Sequence, residues 1–489
     1  MEFSEYSEFD AVGLALLVKN REVTPQELKK VALEGIDKLN RTINAVVSTL
    51  SEQADKEIEA GLPEGPFKGI PFLIKESSAQ AVGVPVNLGS RFGVGVTTPQ
   101  DTNLMTRFRQ AGFVTVGTST TPEFAFNFTT ESVLYGPTRN PWDTNLSAGG
   151  SSGGAAAAVS AGIVPIAHAN DGAGSIRQPA AVNGLVGLKP TRGRIPHGPF
   201  RGEILSGLSN EFAVTKSVRD SALLLDEIAG ADIGASSWAE SPKRTYLSEK
   251  ENKPKRLRIA WMGTPINGAP VDKECTEALY RTVQLCQDLG HDLVEATPQI
   301  NTEEQFQATL RIWAANISRS IDRLQIGLNR TASSENLEAS NWALYQYGQT
   351  LKAFDLLEAF EINNRVSRTV GEFFTNYDVL LSPTIAQLPW EIGKLNANDP
   401  NLDAKQWTER MMAYAPFTNL FNTTGQPAIS LPLGWSSKGL PIGMQFAGRF
   451  ADESTLFHLA FQLEEAQPWI DKKPSLLNAK VKRYSRREG

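Results

Sequence analysis

The segment from Ser147 to Ser175 has the residue types of a nucleophilic site. Its sequence, SAGGSSGGAAAAVSAGIVPIAHANDGAGS, places several hydroxyl groups among clustered glycines. Glycine lets backbone N–H groups approach a ligand closely, and small residues let neighbouring elements pack tightly. A serine hydroxyl in this setting could attack a carbonyl carbon if a nearby base removed its proton. The same composition is also typical of a tight turn followed by an alanine-rich core helix.

A histidine-dependent triad fits this segment poorly. Residues Gly149–Gly153 (GGSSG) have the G-x-S-x-G pattern of a nucleophile elbow, which requires a later acid and then a histidine. The four histidines of the chain are His168, His197, His291 and His458. His458 lies inside an amphipathic helical run and His291 follows a helix end. Neither is therefore on the late loop that such a triad needs.

Metal and nucleotide chemistry are disfavoured as well. Scattered histidines, two cysteines without a metal-ligand spacing and the lack of H-E-x-x-H leave no zinc site to propose. Gly172–Arg177 (GAGSIR) begins like a dinucleotide-binding fingerprint, but arginine occupies the position of the third glycine. The S-x-x-K pattern of β-lactamases is missing too. We therefore predict neither a metal nor a cofactor.

Lys75 could supply the base in place of a histidine. It ends the apolar run Gly69–Lys75 (GIPFLIK), a strand pattern that should carry its side chain into a mostly apolar interior. Burial would lower the pKa of this lysine from ~10.4 towards roughly 7–8, where an amine can act as a base. A lone lysine at a strand end can equally be a solvated surface charge.

Alternating helix and strand patterns predict an α/β fold around these residues. Thr24-Pro25-Gln26-Glu27 is a capping box, and Asp101 is expected to cap a helix that runs through Gln110. Ser217–Ile228 is a further helix with Ser217 as its cap, and another helix lies near Lys273–Leu289. The strand patterns are Gly69–Lys75, Phe113–Gly117, Leu257–Met262, Asp292–Ala296, Tyr377–Ser382 and Ala428–Leu433. This alternation indicates a large sheet covered by helices.

We expect residues 1–489 to form a single domain. Its parts are an N-terminal helical segment over about 1–60, a core over about 65–220, a polar loop over about 232–255 and a C-terminal α/β part over about 256–475. The basic segment Lys480–Arg487 is expected to be a solvated tail rather than a binding arm.

The composition is that of a soluble globular protein. Hydrophobic residues make up 41% and charged residues 21% of the 489 residues, and the net charge of −6 does not indicate nucleic-acid binding. The apolar stretches are too short to span a membrane, and the acidic start MEFSEYSEFD does not resemble a signal peptide. Cys275 and Cys286 share one helical pattern and are too far apart for a disulfide within it. A cytoplasmic location is expected.

Several motifs together resemble the amidase signature family. They follow the order and spacing of that family over nearly the whole chain, and they are Gly69–Lys75 (GIPFLIK), Gly149–Gly154 (GGSSGG), Asp171–Pro179 (DGAGSIRQP), Gly187–Thr191 (GLKPT), Gly425–Pro432 (GQPAISLP) and Gly439–Gln445 (GLPIGMQ). His168–Pro179, with Arg139–Trp142 and Leu188–Arg194, is most similar to the branch of 6-aminohexanoate-cyclic-dimer hydrolases. The resemblance implies a large twisted mixed sheet covered by helices on both faces.

The resemblance also implies a Ser-Ser-Lys triad and an acyl-enzyme intermediate. Ser175 would be the nucleophile, Ser151 the bridging serine after a cis peptide bond, and Lys75 the base. Backbone N–H groups of Gly172, Ala173 and Gly174, together with that of Ser175, would form the oxyanion hole, although Ala173 stands where the family more often has glycine. The remaining expected site residues are Ser152, Asp171 and Arg177 as supports, and Phe124, Phe126, Asn127 and Trp313 in the substrate pocket.

This reasoning leads to an amidohydrolase that cleaves a linear amide or a lactam, with 6-aminohexanoate oligomers as one candidate substrate. Three alternatives remain open. An esterase or urethanase would use the same triad. Arg177-Gln178-Pro179 also fits an amidotransferase subunit that works with partner chains, and a binding scaffold on the same fold is the third alternative. The expected partner is a small-molecule amide, without nucleic acid or membrane, and the family resemblance is compatible with a homodimer.

Overall fold

The structure is a computed structural model of the chain, and it describes residues 1–235, 237–252 and 255–478. Three positions of the predicted polar loop, Ser236, Lys253 and Pro254, lie outside the described residues, as does the predicted basic tail Lys480–Arg487. Within the described ranges, no helix is long and apolar enough to cross a membrane.

Eleven strands of the described ranges form one mixed sheet, which confirms the predicted sheet. In chain order they are β1 (Val46–Thr49), β2 (Pro71–Lys75), β3 (Val114–Ser119), β4 (Ile166–Asp171), β5 (Val186–Lys189), β6 (Asn210–Thr215), β7 (Arg258–Trp261), β8 (Asp292–Glu295), β9 (Val379–Pro383), β10 (Ala428–Trp435) and β11 (Pro441–Gly448). Across the sheet the order is β1-β3-β2-β4-β6-β5-β10-β11-β9-β7-β8. Strand β2 runs parallel to β3 and β4, and β7 runs parallel to β8 and β9, whereas the other neighbours are antiparallel.

Helices precede, separate and follow these strands. They are α1 (Phe3–Tyr6), α2 (Ala11–Lys19), α3 (Pro25–Ile43), α4 (Ser51–Ala60), α5 (Asn103–Gln110), α6 (Gly153–Ser160), α7 (Arg177–Asn183), α8 (Val218–Ile228), α9 (Lys273–Asp288), α10 (Thr302–Leu328), α11 (Ala339–Thr350), α12 (Ala353–Asn376), α13 (Ala404–Tyr414), α14 (Asn419–Thr424), α15 (Glu453–Ala466) and α16 (Ser475–Asn478). Two short hairpins pair Glu131–Ser132 with Gly136–Pro137 and Arg139–Asn140 with Asp143–Ser147.

Strand β9 shows why helices cover both faces of the sheet. Successive side chains of a strand point to opposite faces. Val379 and Leu381 join the core that contains Leu456 of α15, whereas Leu380 between them joins a second core that contains Ile312 of α10. Two hydrophobic cores therefore lie on opposite sides of this part of the sheet, as the α/β prediction requires.

Local capping signals place the helix starts, with one correction. The capping box at Thr24 is confirmed, because its hydroxyl accepts from the Glu27 N–H and the Glu27 carboxylate accepts from the Thr24 N–H. The prediction that Asp101 caps α5 is wrong. Thr102 caps that helix, and the Asp101 carboxylate instead accepts hydrogen bonds from Val82 and Arg109.

Candidate active site

Parallel pairing of β2 and β4 brings the predicted base next to the glycine-rich segment. Phe72 of β2 is in register with Ile166 of β4, so the carboxyl ends of both strands lie at the same edge of the sheet. Lys75 ends β2, and β4 ends at Asp171, immediately before the loop that carries Ser175 and leads into α7. The edge beyond the carboxyl ends of parallel strands is where α/β proteins commonly bind ligands.

The serine loop before α6 packs against the same edge. Ser151 and Ser152 precede Gly153, the first residue of α6, and the Gly150–Ser151 peptide bond is cis, as the resemblance implied. A Cβ atom at Gly150 would lie 2.7 Å from the carbonyl oxygen of Thr129. A glycine is therefore needed at this position for the loop to approach its neighbour so closely.

The Lys75 ammonium lies among three oxygen atoms. Its Nζ is 2.7 Å from Ser151 Oγ, 2.9 Å from Ser152 Oγ and 2.6 Å from Asn170 Oδ1. The Lys75 side chain is buried, with 1% of its surface exposed, so solvent does not compete for these contacts. The alternative of a solvated surface lysine is thereby excluded, and the interior around Nζ is more polar than the apolar run predicted.

Burial lowers the pKa of Lys75 to about 7, against the opposing charges of Glu211 and Asp171. Desolvation penalises the charged form of a lysine, whereas nearby carboxylates stabilise it. A pKa near 7 means that a large fraction of the amine is neutral at neutral pH. A neutral amine has a lone pair with which it can accept a proton.

Hydrogen-bond capacity singles out Ser151 among the three partners. The Ser152 hydroxyl donates to the carbonyl oxygen of Asn170 at 3.2 Å, and the Asn170 side-chain oxygen can only accept. When Lys75 is neutral, only the Ser151 hydroxyl remains to donate to its lone pair. Ser151 is therefore the one contact through which a proton can reach Lys75.

A buried ion pair fixes the loop between β4 and α7. Arg177 donates to the Asp171 carboxylate through Nε and Nη2, both at 2.9 Å, and neither side chain is exposed. Burial alone would raise the pKa of Asp171, but the charge and hydrogen bonds of Arg177 lower it to about 2. Asn422 also donates to this carboxylate, at 2.9 Å.

The Asp171 carboxylate also shapes the candidate oxyanion loop. It accepts the Gly174 N–H at 2.6 Å and the Ile176 N–H at 3.2 Å. Gly174 has a φ of +137°, which favours glycine, and a Cβ there would lie 2.4 Å from Thr418 Oγ1. Since the Gly174 N–H is occupied, the N–H groups of Gly172, Ala173 and Ser175 are the candidates that remain for binding an oxyanion.

His168 and Glu211 form a buried, hydrogen-bonded pair next to the backbone of Lys75. The Lys75 backbone N–H donates to His168 Nδ1 at 3.2 Å, so Nε2 carries the proton and donates to Glu211 at 2.6 Å. Burial raises the pKa of Glu211, but the hydrogen bonds that it accepts, first from His168 and then from Ser78, act together with the nearby histidines to hold this pKa below its ordinary value. Glu211 thus places a negative charge close to the candidate base.

A cavity of about 590 Å³ opens onto these residues. Ser151 and Ser175 both line it, and Ser175 has 4% of its surface exposed. No hydrogen bond joins the two hydroxyls among the described residues, so the first link of the predicted relay stays a prediction.

Three of the four predicted pocket residues line this cavity. They are Phe124, Phe126 and Trp313, and the rings of Phe126 and Trp313 meet edge to face with centroids 5.0 Å apart. Asn127 instead lies behind the wall with 1% exposure, where it donates to the Leu395 carbonyl and accepts from the Thr129 N–H. It holds backbone in place and does not face the cavity.

Sequence reasoning missed two groups close to the base. Asn170 stands in the quoted glycine-rich segment, and the strand alternation that points both Asn170 and His168 to one face could have indicated its role. Glu211 lies in β6, a strand without any chemical motif, so only the pairing of β6 with β4 reveals it. Among the described residues, no group of three or more His, Cys, Asp or Glu is placed to hold a metal ion.

Comparisons with known proteins show which family this chain resembles. Residues 27–457 match the profile of the family described as Amidase. The chain is 36% identical over 481 residues to a 6-aminohexanoate-cyclic-dimer hydrolase from Paenarthrobacter ureafaciens, covering 96% of this chain and 97% of that protein. It is 32% identical over 477 residues to an acylamidase from Rhodococcus erythropolis, covering 95% and 97%.

A solved structure of 6-aminohexanoate cyclic dimer hydrolase complexed with substrate superimposes with a TM-score of 0.92 at 33% sequence identity. The superposition covers 96% of this chain and all of that one. The same architecture therefore extends over 96% of the chain rather than over the motif segment alone. The chain belongs to the amidase signature family of carbon–nitrogen hydrolases.

Proposed function

We propose that this protein hydrolyses carboxylic amide bonds through Ser175, Ser151 and Lys75. Ser175 is the nucleophile, Ser151 carries its proton, and Lys75 is the base. The observation that carries the proposal is the 2.7 Å contact between Lys75 Nζ and Ser151 Oγ in a site where burial brings the pKa of Lys75 to about 7. A buried amine that is neutral at neutral pH and contacts only one hydroxyl able to donate to it is suited to this role.

The reaction proceeds in two acyl-transfer steps. Ser175 Oγ attacks the amide carbonyl carbon while its proton passes to Ser151 and the Ser151 proton passes to Lys75. The tetrahedral intermediate then collapses, the C–N bond breaks, and the proton on Lys75 returns through Ser151 to the leaving amine. Water then attacks the resulting ester of Ser175 while its proton passes through Ser151 to Lys75. The proton returns through Ser151 to Ser175 Oγ as the ester bond breaks and the acid is released.

Backbone N–H groups of Gly172, Ala173 and Ser175 stabilise the oxyanion in this proposal. The Asp171 carboxylate holds the loop by accepting the Gly174 N–H, and Arg177 holds that carboxylate. A donor aimed at the developing charge commonly contributes ~10²–10³ in rate. The positions of these donors are thus set before the substrate binds.

The substrate is a small amide. A cavity of about 590 Å³ with aromatic walls at Phe124, Phe126 and Trp313 is of the size that encloses a small organic molecule. Two similar proteins are a 6-aminohexanoate-cyclic-dimer hydrolase and an acylamidase, which supports a linear amide or a lactam as the substrate of this chain.

We also propose a cytoplasmic location. The thiols of Cys275 and Cys286 are both free and buried, and free thiols persist in a reducing compartment. Expression of the tagged chain followed by cell fractionation tests this proposal. Recovery of the enzyme in an extracytoplasmic fraction would contradict it.

Three serine and lysine variants test the mechanism. Ser175→Ala and Lys75→Ala should each lower kcat for a simple amide by about 10³-fold or more, because each removes a group that acts only as part of the unit. Ser151→Ala should be severe too, although a water molecule can partly replace its hydroxyl. Ser160→Ala is the matched control, since Ser160 is a buried serine of α6 whose hydroxyl donates to the Asn183 carbonyl, away from Lys75.

Substrate pairs separate amide from ester chemistry. Turnover of an amide and the ester of the same acyl group should both depend on Ser175. Only the amide requires protonation of a poor leaving group, so Lys75→Ala should impair the amide more than the ester. Near-normal amide turnover by Ser175→Ala or Lys75→Ala, in a variant that keeps its thermal unfolding transition, would overturn the proposal.

A further inference from the structure

The outer wall of the catalytic cavity carries a cluster of arginines. Arg201 lies in the loop between β5 and β6, and Arg319 and Arg323 lie one turn apart on α10. All three line the same cavity as Ser151 and Ser175, and all three are exposed. This positive cluster contrasts with the net charge of −6 of the whole chain.

These three arginines lack a carboxylate partner within the described part of the chain. The arginines that do form ion pairs there are others, namely Arg109, Arg177, Arg194, Arg219, Arg256, Arg311, Arg365 and Arg449. Although part of the Arg201 side chain is exposed, the protein around it still desolvates its guanidinium and lowers its pKa, and the charges of Arg323 and Arg319 lower this pKa further against the opposing charge of Glu211. Their mutual repulsion would be relieved by a bound anion.

The acidic group on the cavity wall forms no ion pair with the cluster. Glu203 is the one carboxylate among the described residues that line the cavity. Burial lowers the pKa of Arg192 and the Glu203 charge opposes that shift, so Glu203 acts on Arg192, which lies outside the cavity lining. The cavity wall therefore keeps an excess of positive charge.

The wall of α10 changes character along its length. Trp313 lies at the inner end, with 3% of its surface exposed and its ring against Phe126. Arg319 and Arg323 follow six and ten residues later, about 9 Å and 15 Å farther along the helix axis at 1.5 Å per residue. Two aliphatic residues of the same helix also line the cavity: Ile317, which lies between Trp313 and Arg319 in the sequence, and Leu324, which follows Arg323. A substrate along this wall would meet aromatic and aliphatic surface first and guanidinium groups at its far end.

We propose that Arg201, Arg319 and Arg323 form a carboxylate-binding subsite, so that the preferred substrates are aliphatic amides with a terminal carboxylate several carbon atoms from the scissile bond. This proposal rests on the proposed amide hydrolysis and names its substrate class. A guanidinium binds a carboxylate through paired charge-assisted hydrogen bonds. The linear products and oligomers of ω-amino acids have this chemistry, whereas a cyclic oligomer does not.

Matched substrates that differ only in the terminal group test the proposal. We would compare 6-acetamidohexanoate with 6-acetamidohexan-1-ol and N-acetyl-1,6-diaminohexane, and follow acetate release by NMR. A second series would carry the same three terminal groups on the acyl half. In at least one series the carboxylate should give a kcat/KM about tenfold or more above the alcohol, with the ammonium compound lowest. The KM of the carboxylate should also rise with salt, while that of the alcohol should not.

Variants of the cluster provide the second measurement. The double variant Arg319→Gln/Arg323→Gln should bring the carboxylate-to-alcohol ratio close to one. Arg281→Gln should keep the wild-type ratio, because Arg281 is an exposed arginine of α9 that does not line the cavity. Unchanged thermal unfolding would show that both variants fold.

The outcomes separate this inference from the proposed function. Equal kcat/KM for carboxylate and alcohol in both series, with turnover that depends on Ser175, would overturn the subsite and leave amide hydrolysis standing. A preference that survives the double variant would also overturn it. Absence of any Ser175-dependent amide turnover would instead refute the proposed function.

Discussion

Replacing Ser152 by alanine would remove one of the three oxygen acceptors around the Lys75 ammonium while leaving Ser151 and Ser175 in place. Ser152 Oγ lies 2.9 Å from Lys75 Nζ, and neither side chain is accessible to solvent that could replace the lost contact. Because this hydroxyl donates to the Asn170 carbonyl, it accepts from Lys75 and so stabilises the charged form of the amine. Its loss should make the ammonium easier to deprotonate.

The size of the effect follows from the strength of such a contact. A hydrogen bond to a charged group contributes about 1.5–3 kcal/mol, and one pKa unit corresponds to about 1.36 kcal/mol. The pKa of Lys75 should therefore fall by about one to two units from its value of about 7. Since only the neutral amine can take the Ser151 proton, the rate rises with pH through this pKa. The acid limb of the pH–rate profile should move to lower pH by the same amount.

The assay is kcat/KM for one uncharged amide between pH 4.5 and 9, because this quantity reports the ionisation of the free enzyme. Ser160→Ala removes a buried hydroxyl from the opposite end of α6 and should leave the acid limb where it is. An acid limb that stays in place, or that moves to higher pH, in a folded Ser152→Ala variant would refute the assignment of Lys75 as the base.

Three further predictions concern residues around the triad and in the packed helices. Glu211→Gln removes a charge that raises the pKa of Lys75, so its acid limb should also move to lower pH; an unmoved limb would show that Glu211 does not act on the base. Asp171→Asn leaves Arg177 as a buried unpaired charge and should lower the free energy of unfolding by about 3–5 kcal/mol in urea titrations, whereas a loss below about 1 kcal/mol would contradict the buried pair. Gly154→Ala would place a methyl carbon 2.3 Å from Thr120 Oγ1 and 2.5 Å from the Thr120 backbone nitrogen. It should lower the free energy of unfolding by about 1–3 kcal/mol. Gly371→Ala lies at a helix position with no atom within 4 Å of the new methyl group, so it should instead raise the free energy of unfolding by about 0.5–1 kcal/mol. Equal effects of Gly154→Ala and Gly371→Ala in urea titrations would contradict the packing described.

The sequence predicts the elements of the catalytic edge because their signals are local. The run GIPFLIK is apolar and ends in one charge, and it forms the buried strand β2 with Lys75 at its end. The prediction that Ser217 caps α8 is confirmed, because its side chain accepts a hydrogen bond from the Asp220 N–H. Such a cap depends only on residues of the first helical turn. The secondary structure of the glycine-rich segment is harder to predict. It divides into the helix α6 and the strand β4, which composition alone cannot separate.

Other features depend on contacts between distant parts of the chain. Glu211 reaches His168 only because β6 pairs with β4, and no motif marks β6. The helix α10 has a local start signal, since Asn301 caps it, whereas α11 has no side-chain cap. Residues that α10, α11 and α12 bury form part of the second core, which local signals do not reveal. The arginine cluster combines a loop residue with two residues more than 100 positions later, so it becomes visible only in three dimensions. Asn127 is an expected pocket residue, but its side chain instead forms hydrogen bonds with the backbone of Leu395 and Thr129.

The central claim is that Ser175 is the nucleophile, and its covalent labelling tests this most directly. A fluorophosphonate loses fluoride when an activated serine attacks its phosphorus atom, so one molecule of enzyme should gain one phosphonyl group. Peptide mass spectrometry should place that group on Ser175, and labelling should vanish in Ser175→Ala, fall strongly in Lys75→Ala and persist in Ser160→Ala. A label on Ser151 or on another residue, or equal labelling of Ser175→Ala and wild type, would contradict the account.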